Sequence, residues 1–180
     1  VCPYCRSEYY NLCPRRRVLG YWFHGSFAPY CSARFVHRLP DSVSFEAGAL
    51  TELLACCVHA VIEQAGVSAG DFVVVVGPGP VGLLASLVAL AEGGTVAICG
   101  TESDRARLSC AQDLGVQHAF VVGEGEPAEE INRLSGGYGA DLVVECAGNA
   151  AAVQLGLDIV RKRGKYVQMG LPGKPIEVNF

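Results

Sequence analysis

The sequence predicts the α/β class, with a doubly wound parallel sheet, and three observations predict it. From residue 46 onward, short β-branched runs alternate with segments of helical period. The first run, FVVVV, is apolar without a break, the mark of a strand covered on both faces. Each connection is long enough to hold a crossover helix, which parallel neighbours require.

The elements follow in order. Residues 1–45 are rich in Pro, Gly, aromatic and Cys residues and carry no long periodic run. Short strands are expected there at Phe27–Tyr30 and Phe35–Leu39. An apolar-periodic helix is expected from Phe45 to Ala65, with Ser44 as its N-cap and Gly66 as its stop. Then come strand 72–77, helix 80–92, strand 95–99, helix 104–115, strand 119–122, helix 127–134, strand 140–146, helix 150–163 and strand 165–170. Residues 1–45 and 46–180 thus read as two domains.

Composition narrows the function. The 180 residues are 51% hydrophobic and 18% charged, a composition that buries a core rather than staying disordered. A net charge of −4 points away from nucleic acid and from anionic membrane surfaces as partners. The longest apolar stretches are interrupted by Glu52, His59 and Glu92, so none reads as a membrane span. Six of the nine cysteines (Cys31, Cys56, Cys57, Cys99, Cys110 and Cys146) are scattered through apolar or strand-like surroundings. That is the pattern of reduced thiols in a cytoplasmic protein. No charged-then-apolar leader begins the chain. It starts without Met and stops in the strand-like PIEVNF, so it is expected to be an internal piece of a longer protein.

Four features carry chemistry. The first is GPGPVG at 77–82, which follows a buried strand and opens a helix, the context that a dinucleotide fingerprint of Rossmann type needs. Gly77 permits the turn, Gly79 lets a pyrophosphate approach the backbone, and Gly82 lets helix and strand pack closely. Pro80 and Val81 open the helix, whose free N–H groups face the phosphates. A ligand-free Gly/Pro turn is the alternative reading. The second feature is ICGTESDRARL. An acid about 20 residues past the glycines would hold the ribose 2′-OH, and Glu102 has that spacing. Thr101 with Arg105 or Arg107 would instead suit the extra phosphate of NADP, and NAD is favoured. The plainer reading for both arginines is pairing with Asp104 or Glu102 on a solvated helix.

The third feature is Cys2, Cys5 and Cys13, spaced Cys-x2-Cys-x7-Cys. Three free surface thiols would be a liability, and a disulfide conflicts with the reduced pattern elsewhere. Zinc accounts for them best, provided a fourth ligand exists. The fourth is Glu52, Cys56 and His59 at i, i+4 and i+7 of the first helix. A core face with a bonded His is the plainer reading for Cys56 and His59. A carboxylate in so apolar a segment is expected to find a cation or a metal, so Glu52 is a candidate ligand.

Taken together, CPYC…YNLCP, LGYW…GSFAPY, HRLPDSVSFEAGALTE, GVSAGDFVVVVGPGPVGLL, DLVVECAGN and GKYVQMGLPGKP resemble the zinc-dependent medium-chain alcohol and polyol dehydrogenases, the branch of sorbitol (L-iditol 2-) and threonine dehydrogenases. The resemblance runs over nearly the whole chain. It implies that residues 1–45 end a GroES-like β catalytic domain and that residues 46–180 form most of a Rossmann domain. It implies that Cys2, Cys5 and Cys13 are the last three ligands of a structural zinc whose first cysteine precedes the chain. It makes Glu52 a ligand of the catalytic zinc or its water, the other ligands lying upstream. The implied reaction is reversible oxidation of a secondary alcohol or polyol to a ketone, by hydride transfer to NAD, with NADP possible. Ala147, Gly170 and Leu171, at later strand tips, are placed to line the nicotinamide. A tetrameric or dimeric cytoplasmic enzyme is implied, with these 180 residues alone inactive.

The sequence departs from the family pattern at Glu8 (usually Gly), His24 (usually Asp) and Leu53 (usually Pro), and it looks about two residues short between Tyr30 and Arg34. Two other readings compete. A zinc-free quinone reductase shares the cofactor domain but does not need the cysteines. A non-catalytic NAD(H)-binding module would keep zinc only as a staple.

Overall fold

The computed structural model describes residues 1–33 and 36–180. Contacts within the chain cluster into two units, Val1–Val43 and Ser44–Phe180.

The first unit has little regular structure. A four-residue helix α1 (Pro3–Arg6) starts with Pro at its first turn, where a missing N–H costs nothing. A 3-10 turn follows at Tyr10–Leu12, and a lone bridge joins Leu19 to Phe23. The strand expected at Phe27–Tyr30 is bend and coil. Of the strand expected at Phe35–Leu39, Phe35 lies outside the described residues, and Val36–Leu39 are irregular. A strand needs a hydrogen-bonded partner, and the described residues of this unit offer none. No described residue of the unit is buried, and Tyr9, Tyr21, Trp22, Phe27 and Tyr30 are all exposed.

In the second unit, Ser44 caps helix α2 (Phe45–Gly48), its hydroxyl accepting the Ala47 N–H at 3.2 Å. The expected single helix is broken after Gly48. It resumes as α3 (Thr51–Val58) and continues in π-type turns over His59–Gln64. Gly66, at φ +64°, ends it. Then β1 (Phe72–Val76), α4 (Pro80–Ala91), β2 (Thr95–Gly100), α5 (Arg105–Asp113), β3 (His118–Val121), α6 (Pro127–Leu134), β4 (Ala140–Glu145), α7 (Ala150–Ile159) and β5 (Val160–Gln168) alternate.

The five strands form one sheet in the order β3-β2-β1-β4-β5, with every pairing parallel. Alternation along β1 explains the double winding. Val73 and Val75 point into a core shared with α3, α4 and α5, through Cys57, Ala85, Val88 and Leu108. Phe72, Val74 and Val76 point into a second core with α6 and α7, through Ile131, Ala152 and Ile159. A sheet covered on both faces has no place for polar side chains in its middle strand, hence the unbroken valines.

One boundary moved. Residues 160–163 read as the end of a helix, but α7 stops at Ile159 and Val160 already pairs with Ala140. The ladder slips between Ala140 and Leu142, and Arg163 there adopts φ +65°. The Arg161 guanidinium bonds Asp141 at 2.5 Å, which draws the segment onto the sheet. Among the described residues no helix is long and apolar enough to cross a membrane.

Candidate functional site

The strand order places the switch point between β1 and β4, whose chains leave the sheet in opposite directions. Ligands of open α/β sheets bind in that crevice, past the carboxyl ends of the strands. A cavity of about 410 Å³ lies there. The tips of β1 (Gly77, Pro78), β2 (Gly100, Thr101) and β4 (Ala147), together with Asp104 and Asn149, form much of its wall.

The GPGPVG turn builds one side from the backbone outward. Gly77 has φ +105°, a conformation that side chains resist, and a Cβ there would sit 2.9 Å from the Ala147 nitrogen. A Cβ on Gly82 would collide with the Gly77 carbonyl oxygen, so this glycine lets α4 dock against the strand it follows. Gly79 is different: nothing lies within 4 Å of where its Cβ would be. It is the N-cap of α4, with Pro80 at the first helical position and Val81 next. The open space over Gly79, beside a helix N-terminus, is the shape that a pyrophosphate needs. The residues present therefore fit a dinucleotide.

The turn after β2 is a charge cluster. Thr101 and Asp104 cap each other, with the Asp104 carboxylate accepting the Thr101 N–H (3.1 Å) and hydroxyl (2.7 Å). Those two bonds, helped by Arg107 at 2.9 Å, hold the Asp104 carboxyl below its usual range. Glu102 is lowered mainly by its hydrogen bond from Arg105, at 2.7 Å, and Arg105 also pairs with Glu124. Thr101 and Asp104 face the cavity, whereas Glu102, Arg105 and Arg107 are not part of its wall. A side chain at position 100 has no room: its Cβ would meet Pro78 at 2.8 Å and the Asp104 Cβ at 3.1 Å. Of the acids in this turn, the one in the cavity wall is thus Asp104, two residues beyond the one whose spacing fitted, and Glu126 joins the wall from the start of α6.

On the other flank, Gly170 and Leu171 pack on Gly148. A Cβ on Gly148 would lie 2.9 Å from the Leu171 nitrogen, and one on Gly170 would strike the Gly148 nitrogen. Asn149 caps α7 by accepting the Ala152 N–H at 3.0 Å. Two residues of this region were not among the candidate site residues of the sequence: Asp104, expected only as an arginine partner, which it is for Arg107, and Glu145. Asp104 had its signal in the Thr101-x-x-Asp104 capping pattern. Glu145 had its own in a charge closing an apolar strand.

In the first unit the Cys2, Cys5 and Cys13 sulfurs all lie within 4.8 Å of one another, and Cys2 and Cys5 are 3.6 Å apart. A tetrahedral zinc with sulfur bonds of about 2.3 Å sets its ligands about 3.8 Å apart, so the set fits three corners of such a site. Among the described residues it has three members. A hydrogen bond from the Cys5 backbone N–H leads in lowering the Cys2 thiol to about 7, while sharing with Cys13, then Cys2, raises Cys5. One thiolate among shared protons is a nucleus for a soft cation.

Glu52 does not meet the premise attached to it. It is exposed, in the first turn of α3 where the helix dipole favours a carboxylate, with the Cys56 sulfur 3.8 Å away. Burial therefore does not oblige it to find a cation. His59 bonds Glu63 at 2.5 Å on the exposed side of the π-type turns that follow α3.

Comparison with known proteins sharpens this picture. A family described as "Zinc-binding dehydrogenase" matches residues 80–180. Over 182 residues the chain is 46% identical to a sorbitol dehydrogenase of Halalkalibacterium halodurans, covering 99% of this chain and 53% of that one. It is 38% identical to a D-arabitol-phosphate dehydrogenase of Enterococcus avium, over 94% of this chain and 49% of that one. The alcohol dehydrogenase TADH from Thermus sp. ATN1 superposes with a TM-score of 0.87 at 30% identity, covering 99% of this chain and 54% of that one. A zinc-binding dehydrogenase from Sinorhizobium meliloti 1021, solved bound to NADP, gives 0.89 at 29%, over 99% and 53%. The chain spans about half the length of the curated relatives it matches.

Proposed function

The chain belongs to the zinc-binding dehydrogenase family, and on that premise we propose that it is the coenzyme-binding part of a polyol or secondary-alcohol dehydrogenase. The observation that carries the reading is the open space over Gly79 at the N-terminus of α4, next in the chain to Gly77 and Pro78, which help to wall the cavity at the strand tips. When bound, a nicotinamide coenzyme would supply the hydride acceptor and a catalytic zinc would supply Lewis acidity toward the alcohol. The protein's own residues bind and orient. Free N–H groups at the start of α4 receive the pyrophosphate. The turns at Ala147-Gly148 and Gly170-Leu171 would stand beside the nicotinamide. Glu52 is proposed as a ligand of the catalytic zinc or its water, by the family likeness alone. Cys2, Cys5 and Cys13 are proposed as ligands of a structural zinc that would staple a unit with no buried residue among those described. Residues 1–45 are proposed to belong to the GroES-like catalytic domain and 46–180 to the Rossmann domain.

NAD is the proposed coenzyme. Around the β2 tip, Glu102, Asp104 and Glu124 face two guanidiniums, Arg105 and Arg107, and both arginines are already paired. The excess of carboxylate suits a ribose hydroxyl better than a second phosphate. The polyol substrate class follows the sorbitol and arabitol-phosphate relatives. The test is zinc content together with oxidation of sorbitol, xylitol and arabitol phosphate by the whole protein, with NAD and NADP compared. Zinc-dependent polyol turnover with NAD is expected. Dinucleotide binding without polyol oxidation by zinc-loaded whole protein would favour the binding-module reading. Turnover of a quinone without zinc would favour the reductase.

A further inference from the structure

Glu145 is the one charged residue buried among those described, and it ends β4 without a lysine or arginine partner there. A buried carboxylate is costly unless hydrogen bonds replace its water. Its bonds all run to the two turns at the strand tips. One oxygen accepts the Ala147 N–H (2.7 Å) and the Gly148 N–H (2.8 Å). The other accepts the Gln168 side-chain amide at the end of β5. That amide also donates to the Gly170 carbonyl at 2.7 Å, and Gln168 accepts the Tyr166 hydroxyl at 2.8 Å. The Glu145 carbonyl takes the Met169 and Gly170 N–H groups as well, at 2.8 and 2.9 Å. Burial, then the Glu145 charge, pushes the Tyr166 phenol up to about 12, so its hydroxyl stays a donor to Gln168.

We propose that Glu145 is a positioning residue for the dinucleotide, tying the turn after β4 and the turn after β5 into one body and seating Ala147 against Gly77 of the phosphate-binding turn. The proposal rests on the dinucleotide reading above. Its physical content is a chain of contacts. The carboxylate fixes the Ala147 and Gly148 amides, Ala147 fills the space that a Gly77 side chain would need, and Gly170 is held against Gly148. A neutral glutamine at 145 could still accept the two main-chain N–H groups, but its own amide would then face the Gln168 amide, donor against donor.

The test titrates NADH, NADPH and AMP into the wild-type protein and into Glu145→Gln and Gln168→Ala, with amide exchange followed in both turns. AMP reports the adenine half alone. Glu145→Gln is expected to weaken the preferred dinucleotide about tenfold and AMP less than about twofold, and Gln168→Ala to act the same way more weakly. Exchange should quicken at Ala147-Gly148 and Gly170-Leu171 together. Equal weakening of AMP and dinucleotide, unchanged dinucleotide affinity, or loosening of one turn only would overturn the proposal. Wild-type protein that binds no dinucleotide would overturn the underlying reading, and this proposal with it. Should Glu145→Gln fail to fold, Gln168→Ala decides, because its half-exposed site buries no charge.

Discussion

Glu8 occupies a backbone conformation, φ +65°, that a glycine would hold without strain, and it does so at the position where the resembling family carries glycine. Glu8→Gly is expected to slow amide exchange over residues 6–12 and to stabilise that turn by about 1 kcal/mol. Unchanged exchange would show that the conformation carries no strain. The thiols make a second residue-scale prediction. With a thiol lowered to about 7, Cys2 is largely thiolate just above neutrality, while burial raises Cys99 to about 12. In zinc-free protein at about pH 8, iodoacetamide should modify Cys2 quickly and leave Cys99 untouched until the protein unfolds. Zinc should protect Cys2, Cys5 and Cys13 together, and mass mapping reads all of these. Lowering the pH below 7 should slow the Cys2 reaction, approaching about tenfold per pH unit, because a depressed thiol loses its thiolate as pH falls through its own value. At the β2 tip, Glu102→Gln with Glu124→Gln removes two negative charges and frees Arg105. The affinity for NADPH should rise several-fold relative to NADH, less so at high salt, since the groups are exposed.

At the scale of elements, the strand–turn–helix from β1 to α4 separates folding from binding. Gly82→Ala forces a methyl onto the Gly77 carbonyl oxygen, between two backbones with no flexible end to yield. It should cost about 3 kcal/mol in urea unfolding, at the upper end for overpacking. Gly79→Ala adds a methyl to open space. Its stability should move by less than about 0.5 kcal/mol, while NADH affinity falls at least about tenfold, because the added methyl stands where the pyrophosphate comes in. A Gly79→Ala protein with intact affinity would remove the observation on which the proposed function rests. The same elements show what the sequence could tell. The valines of β1, the GPGPVG spacing and the Cys-x2-Cys-x7-Cys spacing are local patterns, and local patterns are legible. The end of α7 was not, because Val160 is drawn into the sheet by Ala140, twenty residues away in the chain, and Arg161 by Asp141. The role of Glu145 was hidden for the same reason, since its partner Gln168 comes from the next strand. The exposure of Glu52 was not legible either, because the apolar residues around it do not all mark a core face: Leu50 and Leu54 are exposed as well, and Leu53 is half-buried.

For the molecule as a whole, the second unit supplies a five-stranded sheet with both faces covered, and the first unit supplies a cysteine cluster with no buried residue among those described. Binding to the folded state alone must stabilise it. At one hundred times its dissociation constant, NADH should add about 2.7 kcal/mol, seen as a rise of several degrees in the melting of the sheet unit. A melting temperature indifferent to NADH and NADPH would argue against the proposed coenzyme. The proposed coenzyme grip is made chiefly of absent side chains. Gly77, Gly82, Gly148 and Gly170 each stand where one more carbon meets backbone. Mutation at these places can only add atoms, since glycine is the floor of the alphabet. Genetic drift there has a single direction, towards loss. A saturation library should therefore show the four sites as nearly blank columns beside a permissive neighbour such as Gly173, where the same carbon meets nothing.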